Sequence, residues 1–269
     1  MILNRAVIRE YSREVTATTK AAADKTEEII RGFMRRNPNA TVAETRDFAR
    51  AAVSQVATEY GNAAGQVAMQ VFDGIMAAED VPTLGASLYD GPDVEAISRG
   101  AHYQARWLTD PEPNPDRFIE EMRELAEYHV RRAANRTAID NVERTSSGRT
   151  GRASRVRYAR VPTGGETCTY CAMLASRGFV YRSSESAGHA DHRNCDCLIV
   201  PGLKGQTSID GYDLQALHSV YDAFVEIDQS TLRDADGNEL KGNARASEAM
   251  RLKQEAKERI LGRSDWDGD

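Results

Sequence analysis

A chain of 269 residues is long enough to bury a real core, either as one large domain or as a helical domain with a smaller companion. With 41% hydrophobic, 28% charged and 7% aromatic residues, the composition excludes a disordered chain and leans toward Ala-rich helix. The net charge of -6 excludes a protein that coats nucleic acid with its whole surface and leaves room only for a local basic contact.

The opening segment MILNRAVIREYSREV places charges where a signal peptide needs an apolar core, and no run of 18 apolar residues follows. A soluble, unexported chain with no membrane partner is the expectation. Residues from about 3 to 36 read as a helix that NPN ends at Asn37 to Asn39. Thr41 and Glu44 then stand at capping-box spacing, and Phe48, Ala52, Val56, Tyr60, Ala63, Val67, Val71 and Ile75 recur at steps of three or four. Gly61, Gly65 and Gly74 interrupt this stripe, which predicts a bend, a break or a close backbone approach.

After a Gly/Pro/Asp-rich loop, a short helix is expected from Pro92 to near Leu108. Asn114 can cap the next helix with Pro115 at its first position, and Phe118, Met122, Leu125, His129 and Ala133 mark one face of a helix reaching Arg144. At Ser146 the character changes: SSGRTGRAS reads as a linker, RVRYARVP and FVYRS as strands, and CDCLIVP as a further strand. Helices resume at about 212 to 227 and 243 to 262, separated by RDADGNEL, where Gly237 falls at the wrong place for a calcium loop and a turn is expected. The expected architecture is mainly α, with a helical domain over 1–145, a small α+β knuckle module over 150–202, C-terminal helices over 203–262, and a tail at 263–269.

All four cysteines, Cys168, Cys171, Cys195 and Cys197, fall within 30 residues, in the pattern Cys168-x2-Cys171, then His189-x2-His192-x2-Cys195-x-Cys197. In an unexported chain thiols stay reduced, which favours a metal over disulfides. A CxxC turn and a second pair from a later loop can complete one tetrahedral zinc ion and staple two distant segments. Six candidates compete for four places; the reading takes Cys168, Cys171, His192 and Cys195, with Cys197 as the main alternate. On a regular strand Cys195 and Cys197 would lie about 6.5 to 7 Å apart on one face, long for two sulfurs on one ion. Four buried thiols without a metal are the plainer alternative.

The segment ANRTAIDNVERTS, the basic stretch after it, TCTYCAMLASRGFVYRS and HADHRNCDCLIVP resemble the MuF-like family of phage head-morphogenesis or minor head proteins. In that family an Arg- and Thr-rich helix precedes CxxC, and an HxxCxC segment near a proline closes the module, here His192, Cys195, Cys197 and Pro201. The resemblance covers about residues 133 to 201. It departs where the family often has a Trp and an Asp before the first cysteine; here Tyr158 and VPTGGE stand instead. The resemblance implies a few-copy, non-enzymatic component of the virion, made in the bacterial cytoplasm and incorporated at the portal vertex or capsid interior. Its partners would be the portal protein, the major capsid protein or both.

Arg144, Arg149, Arg152, Arg155, Arg157 and Arg160 form a basic block, with no Asp or Glu from Thr145 to Gly165. It could contact packaged DNA phosphates or an acidic partner face, or be a solvated linker. His102, His129 and His218 lack neighbouring ligands and read as half-buried helix residues. Among enzymes, a zinc deaminase needs HxE before PCxxC, which His102 and His129 do not supply. A zinc-knuckle nuclease using His189, Asp191 or a spare histidine as base is the rival function, and a toxin or effector carried by a phage module ranks last.

Overall fold

The structure, a computed structural model, describes residues 1–109, 111–163, 169–187, 197–227, 229–234 and 236–261. A two-residue strand β1 (Ile2–Leu3) leads into α1 (Arg5–Arg36), which Asn4 caps by accepting the Ala6 N–H at 2.8 Å. The helix stops at Asn37, as NPN predicts. Helix α2 (Val42–Ala78) opens on the expected capping box: Thr41 Oγ1 accepts the Glu44 N–H at 3.2 Å, and the Glu44 carboxylate accepts the Thr41 N–H at 2.8 Å. Helix α3 (Val94–Gln104) runs into a 3-10 turn ending at Leu108, and α4 (Pro115–Ser146) starts under the Asn114 cap with proline in its first turn.

Helices α1, α2 and α4 pack on one another around Tyr11, Val15, Ile30, Val53, Val56, Phe118, Met122 and Val130. The glycines of α2 do not break it, since the helix runs from Val42 to Ala78. They permit close approach, since a Cβ at Gly61 would stand 3.1 Å from the Ala133 Cβ, and one at Gly65 3.0 Å from Thr137 Oγ1. Nothing lies within 4 Å of the equivalent position at Gly74.

Beyond α4, a turn and a short 3-10 segment lead into β2 (Val156–Val161), followed by α5 (Thr169–Ala175), α6 (Ser184–Ala187) and β3 (Leu198–Leu203). β2 and β3 pair antiparallel, from Val156 opposite Leu203 to Val161 opposite Leu198. β4 (Ser208–Ile209) pairs parallel with β1, a contact that sequence patterning did not foretell. FVYRS forms a single bridge instead of a strand, Tyr181 with Tyr158. Gly178, at φ 63°, turns the chain just before it, and Ser186 Oγ gathers the Ser183 N–H and carbonyl just after it. Pairing therefore has room for one residue.

Helices α7 (Leu214–Glu226) and α8 (Gly242–Leu261) close the chain, joined through the expected turn at Asp234, whose carboxylate accepts the Asn238 N–H at 2.8 Å. The boundary expected at Ser146 is the end of α4, yet the core continues across it: Phe72, Ile75, Met76, Ile139 and Val142 pack in one cluster with Val156, Tyr158, Ile199, Val200 and Leu203. The residues of the expected knuckle module thus share their core with the helical half. No helix among the described residues is long and apolar enough to cross a membrane.

Candidate metal centre

The two arms of the cysteine pattern converge. Cys171 lies in α5 and Cys197 directly before β3; both are buried, and they pack against each other. Cys168, His189, His192 and Cys195 lie outside the described residues. Among the described residues no group of three or more His, Cys, Asp or Glu side chains converges to hold a metal. Two adjacent buried thiols, one from the CxxC segment and one from the CDC segment, have the donor chemistry for half of a tetrahedral sulfur-rich set. A structural zinc ion would take these two as part of its set, with Cys197, the alternate ligand, as the member of its pair that the described residues include.

The surrounding elements hold the backbone at Cys197 and at the end of the helix that carries Cys171. Asn135 of α4 donates from Nδ2 to the Cys197 carbonyl at 3.2 Å and accepts the Ile199 N–H on Oδ1 at 3.1 Å. Its carboxamide imitates one rung of a sheet at the start of β3. On the other arm, the Tyr181 hydroxyl donates to the Leu174 carbonyl at 2.9 Å at the end of α5. The Tyr212 hydroxyl shares its proton between the Arg160 carbonyl at 2.8 Å and the Ala175 carbonyl at 3.1 Å, so β2 and α5 meet at one phenol. Burial first, and then the neighbouring Cys197, holds that phenol well above its ordinary pKa of 10.0, so it stays a neutral donor.

The same helix carries, on another face, two further clamps that sequence reading missed. Asn141 Oδ1 accepts the Ser87 N–H at 2.9 Å and its Nδ2 donates to the Ser87 carbonyl at 2.8 Å, while Thr137 Oγ1 accepts the Tyr89 N–H at 3.1 Å. The loop between α2 and α3 is thereby held to α4. A signal was present: Asn and Thr are poor interior helix residues because they compete for backbone hydrogen bonds. Three of them on one helix beside small apolar residues mark side chains with distant backbone to satisfy.

The basic block divides. Arg149 is exposed, and Arg152 is exposed with its guanidinium 3.5 Å from the buried Glu79 carboxylate. Arg155 is exposed and donates to the Lys204 carbonyl at 3.1 Å, and half-buried Arg157 donates to the Ser154 carbonyl at 3.0 Å. Arg160 is a correction: it is fully buried and offers no surface to phosphate or partner. Strand alternation sets it on the side of Val156 and Tyr158, which the core covers. His129 also differs from expectation, since it is buried outright at 2% exposure rather than half-buried.

The family described as VG15 protein matches residues 3–224 of this chain. The Gene 15 protein of Mycobacterium phage D29 is 36% identical over 74 residues, less than a third of either chain. The chain thus spans only a minor part of that relative's length. No solved structure matches it.

Proposed function

Because the chain belongs to the VG15 protein family, we propose that it is a structural protein of the phage virion, specifically a minor head protein of the MuF-like kind that acts in capsid assembly. Its similarity to a mycobacteriophage protein supports the phage setting. On this reading it sits at the portal or the capsid interior, contacts the portal protein, the major capsid protein or both, and catalyses no reaction.

The observation that carries a structural role for the cysteine pattern is the joint of Cys171 and Cys197 beneath α4. The two thiols pack against each other as a buried pair of their own, and Asn135 ties the Cys197 backbone to the bundle. A zinc ion there, held by Cys168, Cys171, His192 and Cys195 or with Cys197 in one of these places, would supply a crosslink between segments distant in sequence. Reactive chemistry needs an open ligand position; a crosslink needs burial, which both described thiols have.

The test is mass spectrometry of purified phage heads, together with pull-down of portal and capsid subunits on the full chain. Presence in heads at a few copies with a portal or capsid partner is the expected result; absence from heads would overturn the assignment. Metal-dependent cutting of DNA that is lost in His189→Ala or His192→Ala, with the fold intact, would replace it with the nuclease.

A further inference from the structure

The register around β2 brings together cations that the sequence leaves apart. Tyr158 and Tyr181 form a bridge with both backbone hydrogen bonds, at 2.9 and 3.3 Å, which sets Arg157 opposite Arg182 on the other face. On the far side of β2 the ladder with β3 extends one step: the Lys204 N–H donates to the Arg155 carbonyl at 3.0 Å, so Arg155 stands opposite Lys204. Two cross-strand pairs of like charge therefore stand two residues apart along the chain, at Arg155 and Arg157.

Like charges directly opposite one another destabilise a sheet, yet among the described residues none of these four side chains pairs with a carboxylate. Their hydrogen bonds go to backbone carbonyls: Arg157 to Ser154 and Val156 at 3.0 and 2.6 Å, Arg182 to Ser146 at 3.2 Å, and Arg155 to Lys204 at 3.1 Å. These carbonyls orient the guanidinium groups without neutralising them. Arg157 carries the strain most directly, since burial and then the Arg182 charge lower its pKa from the ordinary value. Arg155, Arg182 and Lys204 are exposed, and so is Arg149 in the preceding turn, so an incoming anion has access.

We propose that this face is an oxyanion site for phosphate groups, carried on a nucleic-acid backbone or as free inorganic phosphate, with Arg157 and Arg182 as its centre and Arg155 and Lys204 as its rim. A phosphate between the paired guanidinium forks converts their repulsion into charge-assisted hydrogen bonds, and the planar fork matches phosphate geometry. The site needs neither the metal nor the virion role. Arg182 and Lys204 come from segments outside the sequence's basic block, and buried Arg160 is no part of it.

The test measures the full chain against a labelled 20-base-pair duplex of mixed sequence over a salt series, and its melting temperature against inorganic phosphate. In R157Q/R182Q, duplex affinity should fall at least tenfold at low salt, and the slope of log K against log salt should shrink by about 2, the release expected for two phosphate contacts. The control R9Q/K20Q, with the same charge change on α1, should keep the slope. If phosphate raises the melting temperature of the wild type but not of R157Q/R182Q, and the duplex does not bind, the site stands with free phosphate as its ligand. Without phosphate, the double variant should melt no lower than the wild type, because a repulsion has been removed. A wild type that responds to neither probe overturns the proposal, as does one that binds polyglutamate but not the duplex or phosphate. R155Q/K204Q, whose side chains leave the core untouched, repeats the measurement should R157Q/R182Q fail to fold.

Discussion

The side chain of Asn135 holds the backbone of Cys197 from a helix 62 residues earlier in the chain, donating to its carbonyl at 3.2 Å while accepting the Ile199 N–H at 3.1 Å. The bond joins the helical half to the cysteine segment at a point buried from water, where an unmet donor or acceptor is costly. Asn135→Ala should therefore destabilise the fold by about 2 kcal/mol or more, since two buried backbone groups lose their partner. Urea unfolding measures this, and a thiol reagent applied in the presence of chelator should find Cys197 faster in the variant. Equal stability and equal thiol reactivity would show that the clamp is dispensable.

Stability should fall as the pH drops below neutral, through His129. Burial, and then the Arg132 charge, lowers its pKa from 6.5 to about 4 in the folded state, against a weaker pull upward from Asp93. The unfolded chain then binds the proton more readily, so the contribution is complete above pH 6.5 and is lost as the pH falls toward about 4. The size is on the order of 3 kcal/mol. The urea midpoint of the wild type minus that of His129→Leu, followed from pH 7 to pH 4.5, should decline steadily; a flat difference would remove His129 from the account.

Two glycines of α2 should respond in opposite directions to alanine. At Gly65 the new methyl would meet Thr137 Oγ1 at 3.0 Å, an atom fixed by its bond to Tyr89, and Leu88 Cδ2 at 2.8 Å. Gly65→Ala should cost about 1–3 kcal/mol through overpacking. Gly74 faces open space, so Gly74→Ala should gain up to about 1 kcal/mol from helix propensity alone. Thermal melts of the two variants decide it, and a shared sign would refute the packing argument.

Limited trypsin should cut first at Arg149. The turn after α4 is exposed from Ser147 to Arg152, with Gly148 and Gly151 both at φ 64°, and among the described residues Arg149 makes no side-chain hydrogen bond or ion pair, whereas Arg152 faces Glu79. The two fragments should stay together on gel filtration because the core crosses the cut. Fragments that separate would mean that the halves are independent units.

The metal prediction separates ligand from fold. Cys171→Ser and Cys197→Ser should both loosen residues around β3 in hydrogen exchange, and Cys171→Ser should also release zinc measured by elemental analysis. If protein purified without chelator holds no zinc while protecting this segment fully, buried thiols alone account for the cysteines.

What the sequence determined by itself is the set of features whose physics closes within a few residues. The Thr41–Glu44 box, the Asn114 cap ahead of Pro115 and the stop at Asn37 are hydrogen bonds and backbone constraints spanning three or four positions, and each was readable from residue type and spacing. The cysteine spacing likewise announced that two segments have matching chemistry. Only the tertiary structure decided that Cys171 and Cys197 meet, that Asn135 reaches the backbone between Cys197 and Ile199, and that Arg160 is buried while Arg157, three residues earlier, turns toward Arg182. Alternation tells which residues share a face of β2, but which face the core covers depends on how α4, α5 and β3 pack against it, and that is set by partners tens of residues away.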